Sequence, residues 1–237
     1  MVQVAALVLY AAALLAVDQF VDRGGQVVLG CVTAAVLVVA CRPLSTEDRV
    51  QVVVVVLVAT CFEVIGSVLW GLYRYRLGNL PLFVPPGHGL VYLTGLQVSR
   101  LAPVIRHARS FVRLVFALGV AWAAVGLSGV LGRVDVFGAV GVLVFSTYLV
   151  RGPAPTVYGG VFLMVAWLEL YGTALGTWRW AAFVPGIGIP DGNPPSGAAS
   201  GYVLFDILAM AATPLLIAAA RPHSVRVGPR VPAPAAA

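Results

Sequence analysis

The chain has no lysine, and its 237 residues carry only nine acidic side chains. Charged residues make up 10% of the sequence, against about 25% in a soluble domain. That shortage excludes an ordinary water-soluble domain. It also argues against nucleic-acid binding. The net charge of +6 comes wholly from arginine, and the arginines stand singly or in pairs at the ends of apolar runs, not along one basic face. Cysteine is scarce too. Cys31, Cys41 and Cys61 are odd in number, form no CxxC and lie in or beside apolar runs. They read as small packing residues, not as a disulfide framework or metal site. The histidines, His88, His107 and His223, are too scattered for a di-iron or haem site. No P-loop, GxSxG or HExxH occurs, so no cofactor and no metal is expected.

What the chain does have is apolar length. Hydrophobic residues are 60% of the total, and several runs reach the 18–22 or so residues that cross about 30 Å of hydrocarbon. The fold class expected is all-α: a polytopic transmembrane helix bundle of about eight spans, at 2–17, 26–41, 50–72, 88–105, 111–131, 136–150, 156–178 and 201–220. The fourth is interrupted by Arg100 and Pro103. No basic segment precedes the first run, which therefore reads as a retained span and not a cleaved signal. Residues 221–237, rich in Pro, Ala and Arg, are expected to be disordered. With eight spans, ten arginines fall on the side of both termini and five on the other. The expected location is a bacterial cytoplasmic membrane with both termini cytoplasmic.

Three carboxylates interrupt these runs: Glu63, Glu169 and Asp206. An acid near the bilayer centre costs roughly 2.5–3.5 kcal/mol on insertion scales, so it turns inward and is often functional. They are the candidate catalytic residues, read as a protonated acid that donates beside a carboxylate that accepts. Interhelical hydrogen bonding is the plainer role they could fill.

Two of the acids open the same pattern. Glu63-x-x-Gly66-Ser67 leads to Gly71-Leu72-Tyr73-Arg74-Tyr75 and then to Pro85-Pro86-Gly87. Glu169-x-x-Gly172-Thr173 leads to Gly176-Thr177-Trp178-Arg179-Trp180 and then to Pro194-Pro195-Ser196-Gly197. One residue must be slipped between the first two blocks to align them. The copies lie four spans apart, which suggests parallel halves, 1–110 and 111–220, within the bundle 1–220. Trp70, Tyr73, Tyr75, Trp178 and Trp180 crowd the same ends. They fit an interfacial aromatic belt or the wall of a pocket for an apolar ligand or a developing cation. The Pro/Gly-rich loops after the third and seventh spans are apolar enough to cap a cavity, and they carry His88 and Asn193 as further binding candidates.

The stretch Glu63-x-x-Gly66, Tyr73-x-Tyr75, Leu77-Gly78, Pro81-Leu82-x-Val84-Pro85 resembles the bisanhydrobacterioruberin hydratase-like carotenoid biosynthesis family. Trp178-x-Trp180, Ile189-Pro190 and Asn193 resemble that family's second half. The chain departs from it at Glu169, where the family has Asp, and at Pro194-Pro195-Ser196, where Gly-Trp follows the Asn. The resemblance implies a membrane protein that adds water across an isoprenoid double bond. The leading expectation is a cofactor-independent hydratase or cyclase of an isoprenoid lipid. A proton-coupled transporter or lipid carrier, and a structural subunit of a membrane complex or homo-oligomer, are the alternatives.

Overall fold

The structure is a computed structural model that describes residues 1–220; the tail 221–237 lies outside the described residues. The chain forms helices α1 (Val2–Asp18), α2 (Arg23–Cys41), α3 (Thr46–Glu63), α4 (Val84–Ser99), α5 (Ala102–Arg106), α6 (Ala108–Leu127), α7 (Val136–Arg151), α8 (Pro155–Leu175) and α9 (Ala199–Ala219). A π-helical turn, Val64–Trp70, continues α3 without a break. Strands β1 (Tyr73–Tyr75) and β2 (Trp178–Trp180) complete the described elements. The architecture is an all-α bundle. Five helices are long and apolar enough to cross a membrane: α2, α3 with its π turn, α6, α8 and α9. Their outer faces carry exposed Val and Leu, such as Val28, Leu57, Leu118 and Leu215, which suits a lipid solvent.

The eight long helices replace the eight expected spans, with ends moved by a few residues. The largest change is in the fourth. Helix α4 begins at Val84, with Pro85 and Pro86 in its first turn, where a missing N–H costs nothing. It ends at Ser99, and α5 is a separate short helix. Pro103 at the start of α5 cannot continue a helix from before it. Helix α4 is buried on every side from His88 to Leu96. It packs against α1, α2, α3 and α8, which makes it the central post. Its backbone meets α8 where a side-chain carbon on Gly160 would lie 2.6 Å from the Gly95 carbonyl oxygen. Polar starts fix other helices. Asp22 accepts a hydrogen bond from the Gly25 N–H at 2.8 Å and opens α2. Asp135 does the same from Gly138 at 3.0 Å and opens α7.

The two Glu-x-x-Gly patterns meet. Strands β1 and β2 pair antiparallel, with Tyr73 opposite Trp180, Arg74 opposite Arg179 and Tyr75 opposite Trp178. Each strand is reached through a glycine in the left-handed region, Gly71 at φ 75° and Gly176 at φ 77°, which a side chain would strain. The other glycine of each pattern makes room for a ring. A side-chain carbon on Gly66 would sit 3.2 Å from the Tyr73 ring, and one on Gly172 would collide with the Trp178 indole. The one-residue slip also has a structural counterpart. The first copy has one more residue between its Glu and its turn glycine than the second. That copy holds the π turn, the form an α-helix takes when it absorbs an inserted residue. In the first copy the Leu72 N–H reaches the Gly66 carbonyl; in the second, the Thr177 N–H reaches the Gly172 carbonyl.

Candidate functional site

Beneath the ribbon lies a cavity of about 300 Å³, lined mostly by apolar side chains from α1, α3, α4, α8 and α9. Glu63 and Glu169 both line it, and so do Trp70, Tyr73, Tyr75, His88, Trp178 and Trp180. The Tyr-Arg-Tyr and Trp-Arg-Trp alternation explains the ribbon's part. Successive strand residues face opposite ways, so the rings point into the cavity and Arg74 and Arg179 stay exposed.

Glu63 is buried and both its oxygens are taken. The Tyr75 hydroxyl donates to Oε2 at 2.8 Å, and His88 Nε2 lies 2.9 Å from Oε1. Burial, with the Glu63 charge beside it, pushes the Tyr75 phenol well above its ordinary value, so it stays a donor. The His88 ring is also held against Tyr202, with centroids 5.2 Å apart, and meets Phe205 edge-on at 6.0 Å. Glu169 is buried too, but its bonds fall on one side. The Trp178 and Trp180 indole N–H groups both donate to Oε2, each at 2.9 Å. Oε1 has no hydrogen-bond partner among the described residues.

Three expectations need correction. His88 is not on a loop; it sits in the second turn of α4, because the proline pair starts that helix early. Asn193 does not line the cavity. Its Oδ1 accepts the Trp180 N–H at 2.9 Å and so pins β2 from behind. Asp206 is not at the cavity mouth. It is 1% exposed and belongs to the buried stripe Ala199, Val203, Asp206, Ala209 and Thr213 of α9. The helical period gives the cavity Ala198, Gly201, Tyr202 and Phe205 and turns Asp206 toward the bundle interior. Its Oδ2 has no hydrogen-bond partner among the described residues.

Tyr202, Phe205 and Tyr10 are wall residues that the sequence reading did not single out. For Phe205, the signal was its helical spacing from Gly201, just ahead of the buried acid. Tyr10 carried none, since its hydroxyl is tied to Thr33 at 2.7 Å, a contact between neighbouring helices.

The cavity is braced from outside the bundle. The second loop folds back on Asp135, which accepts from Gly192 N at 3.0 Å and from Ser196 N and Oγ at 2.7 Å each. Trp70 Nε1 donates to the Pro185 carbonyl at 2.9 Å, tying the π turn to the same loop. On the other side Arg76 holds the end of α1, reaching the Asp18 carboxylate at 3.4 Å and the Val21 carbonyl at 2.7 Å. Gln26 donates to the same Asp18 carboxylate at 2.7 Å.

No cluster of three or more potential metal ligands exists among the described residues. The chain matches no family model, no curated protein and no solved structure.

Proposed function

We propose that the chain is an integral membrane enzyme acting on a long apolar lipid of the isoprenoid or carotenoid class. The observation that carries this reading is the pairing of two carboxylates in one apolar cavity, one fully hydrogen-bonded and the other with an oxygen free. Glu169, in its acid form, gives its proton to one carbon of an alkene, and the π electrons form the new C–H bond. The adjacent tertiary carbon becomes a cation, which the faces of Tyr73, Trp178 and Trp180 stabilise through their quadrupoles. Capture follows one of two courses. Water forms a C–O bond and passes its spare proton to the Glu63–His88 pair, giving an alcohol. Alternatively, an internal double bond forms a C–C bond and the new cation loses a proton to the Glu63–His88 pair, giving a ring. Proton transfer by positioned acids supplies about 10²–10⁴-fold in such reactions. The resemblance of the Glu63–Pro85 stretch to the carotenoid hydratase-like family supports the first course.

Lipid profiling of a deletion strain tests the reading. An isoprenoid lighter by one water than the missing product is expected for hydration, and one of equal mass for cyclisation. An isoprenoid profile identical to that of the parent strain overturns it.

A further inference from the structure

The cavity is too small for the ligand class proposed. At about 300 Å³ it lies at the lower limit of small-molecule sites, which run to roughly 1,000 Å³, and a long polyene cannot be enclosed in it. The rest of the chain must therefore lie elsewhere, and the wall shows where it is thin. The most exposed side chains lining the cavity are Phe62, Ile65 and Trp70, at 40%, 48% and 39%. All three belong to α3 and its π turn. Across from them α9 presents Gly201 and the half-buried Tyr202, and the Phe62 and Phe205 rings meet at 5.2 Å. Outside this seam both helices are apolar and exposed, with Val68 and Leu69 on one and Leu204 and Leu208 on the other.

Gly201 marks the gap. A side-chain carbon there would find only the tip of Phe205, at 4.0 Å. Most helical glycines of this bundle are different, since their missing side chains are replaced by a neighbour. Gly66 and Gly172 receive ribbon rings, and Gly95 and Gly160 receive each other's helices. Beyond that ring tip, the space at Gly201 is filled by no part of the described chain.

We propose that the ligand is held by one end. The end double bond sits between Glu63 and Glu169, and the remaining chain passes Gly201 and leaves between the π turn and α9 into the bilayer. Gly201 is thus a specificity-determining position that admits a long chain. The inference rests on the lipid-enzyme reading, but it concerns binding, so its failure can be told apart from failure of the chemistry.

The test is equilibrium binding to the full chain in lipid nanodiscs, with two tritiated probes that share the same branched end group: squalene, which is long, and myrcene, which is short. The unaltered protein is expected to bind both. Gly201→Leu has room to fold and places four carbons in the exit. It is expected to weaken squalene binding by about tenfold or more while leaving myrcene binding nearly unchanged. Ile65→Trp, from the opposite rim, is expected to act in the same sense, and Gly201→Ala to be close to silent. Equal loss of both probes in Gly201→Leu overturns the exit path, as does no loss of either. So does an unaltered protein that takes up myrcene but excludes squalene. Preserved squalene discrimination with an unchanged lipid profile in the deletion strain would instead overturn the chemistry and leave the exit path standing.

Discussion

Glu63 and Glu169 occupy matching places in two copies of one sequence pattern, beneath the same ribbon, yet their surroundings differ. Around Glu63 the ribbon supplies a tyrosine hydroxyl, and α4 supplies His88 for the second oxygen. Around Glu169 it supplies two indoles, both spent on one oxygen. An indole can only donate, so the pair fixes the carboxyl's orientation without touching Oε1. The proline pair is followed two residues later by His88 in the first copy and by Gly197 in the second. One copy thus has a partner for the second oxygen; in the other, Gly197 packs against Gly138 and Gly141 of α7 and supplies none. A repeated acid need not have a repeated role: here the first is a tethered pair and the second a group with one face available to a ligand.

Replacing each carboxyl in turn by an amide tells the two acids apart. Glu169→Gln keeps an oxygen for both indoles and is expected to fold, but to lose about 10²–10⁴-fold in turnover. On the proposed reading Glu63→Gln is expected to lose less, because both Glu63 oxygens are already tied to Tyr75 and His88. Turnover by the two variants in membrane preparations checks the order. A larger loss in Glu63→Gln reverses the roles assigned.

The second contrast lies in the aspartates that open α2 and α7. Asp135 is 2% exposed and accepts four hydrogen bonds, three of them from the loop residues Gly192 and Ser196. Asp22 is exposed and accepts one, from Gly25. Asp135→Ala is expected to cost at least about 3 kcal/mol, since several buried donors lose a charged partner. Asp22→Ala is expected to cost about 1 kcal/mol, the ordinary loss of a helix cap. Denaturant titration in detergent, followed by tryptophan fluorescence, compares them. Equal costs would mean that the Asp135 network does not hold the second loop.

A pH dependence is expected from the same loop. Burial first, and the neighbouring Asp135 carboxylate second, push Asp191 up to about 7. Between its unfolded value, about 4, and about 7, the folded chain binds a proton that the unfolded chain has released. Stability therefore falls as pH rises through that window and levels off above it. Asp191→Asn is expected to flatten this slope, read as thermal midpoints at pH 5 and pH 8. An unchanged slope in the variant would assign the dependence to another group.

The helical bundle was legible because its spans are long and uninterrupted, and an apolar run of that length has few alternatives. The ribbon was not, although Tyr-Arg-Tyr and Trp-Arg-Trp show the strict alternation of a strand. Three residues are too few for periodicity to stand out, and the pairing joins positions about a hundred residues apart. The π turn left only an indirect trace, as the slip between the two patterns. Asp206 could be recognised as a buried acid but not assigned a face: one residue along α9 is a rotation of about 100°, finer than an approximate span boundary can fix. Tyr202, directly after Gly201, was silent for a related reason. A tyrosine near a span end looks interfacial until the neighbouring helix places His88 against it.

An α-helix that gains a residue turns everything beyond it by about 100°, and a strand beyond such an insertion would present its rings to the wrong side. The π turn cancels this phase error before the chain reaches Gly71. The length of α3 below Glu63 is consequently locked to the facing helices, while the seven residues Val64–Trp70 act as a local buffer where one residue can be stored without disturbing the aromatic wall above. The same buffering makes this stretch the adjustable edge of the molecule, where one added residue is taken up before the chain reaches the ribbon.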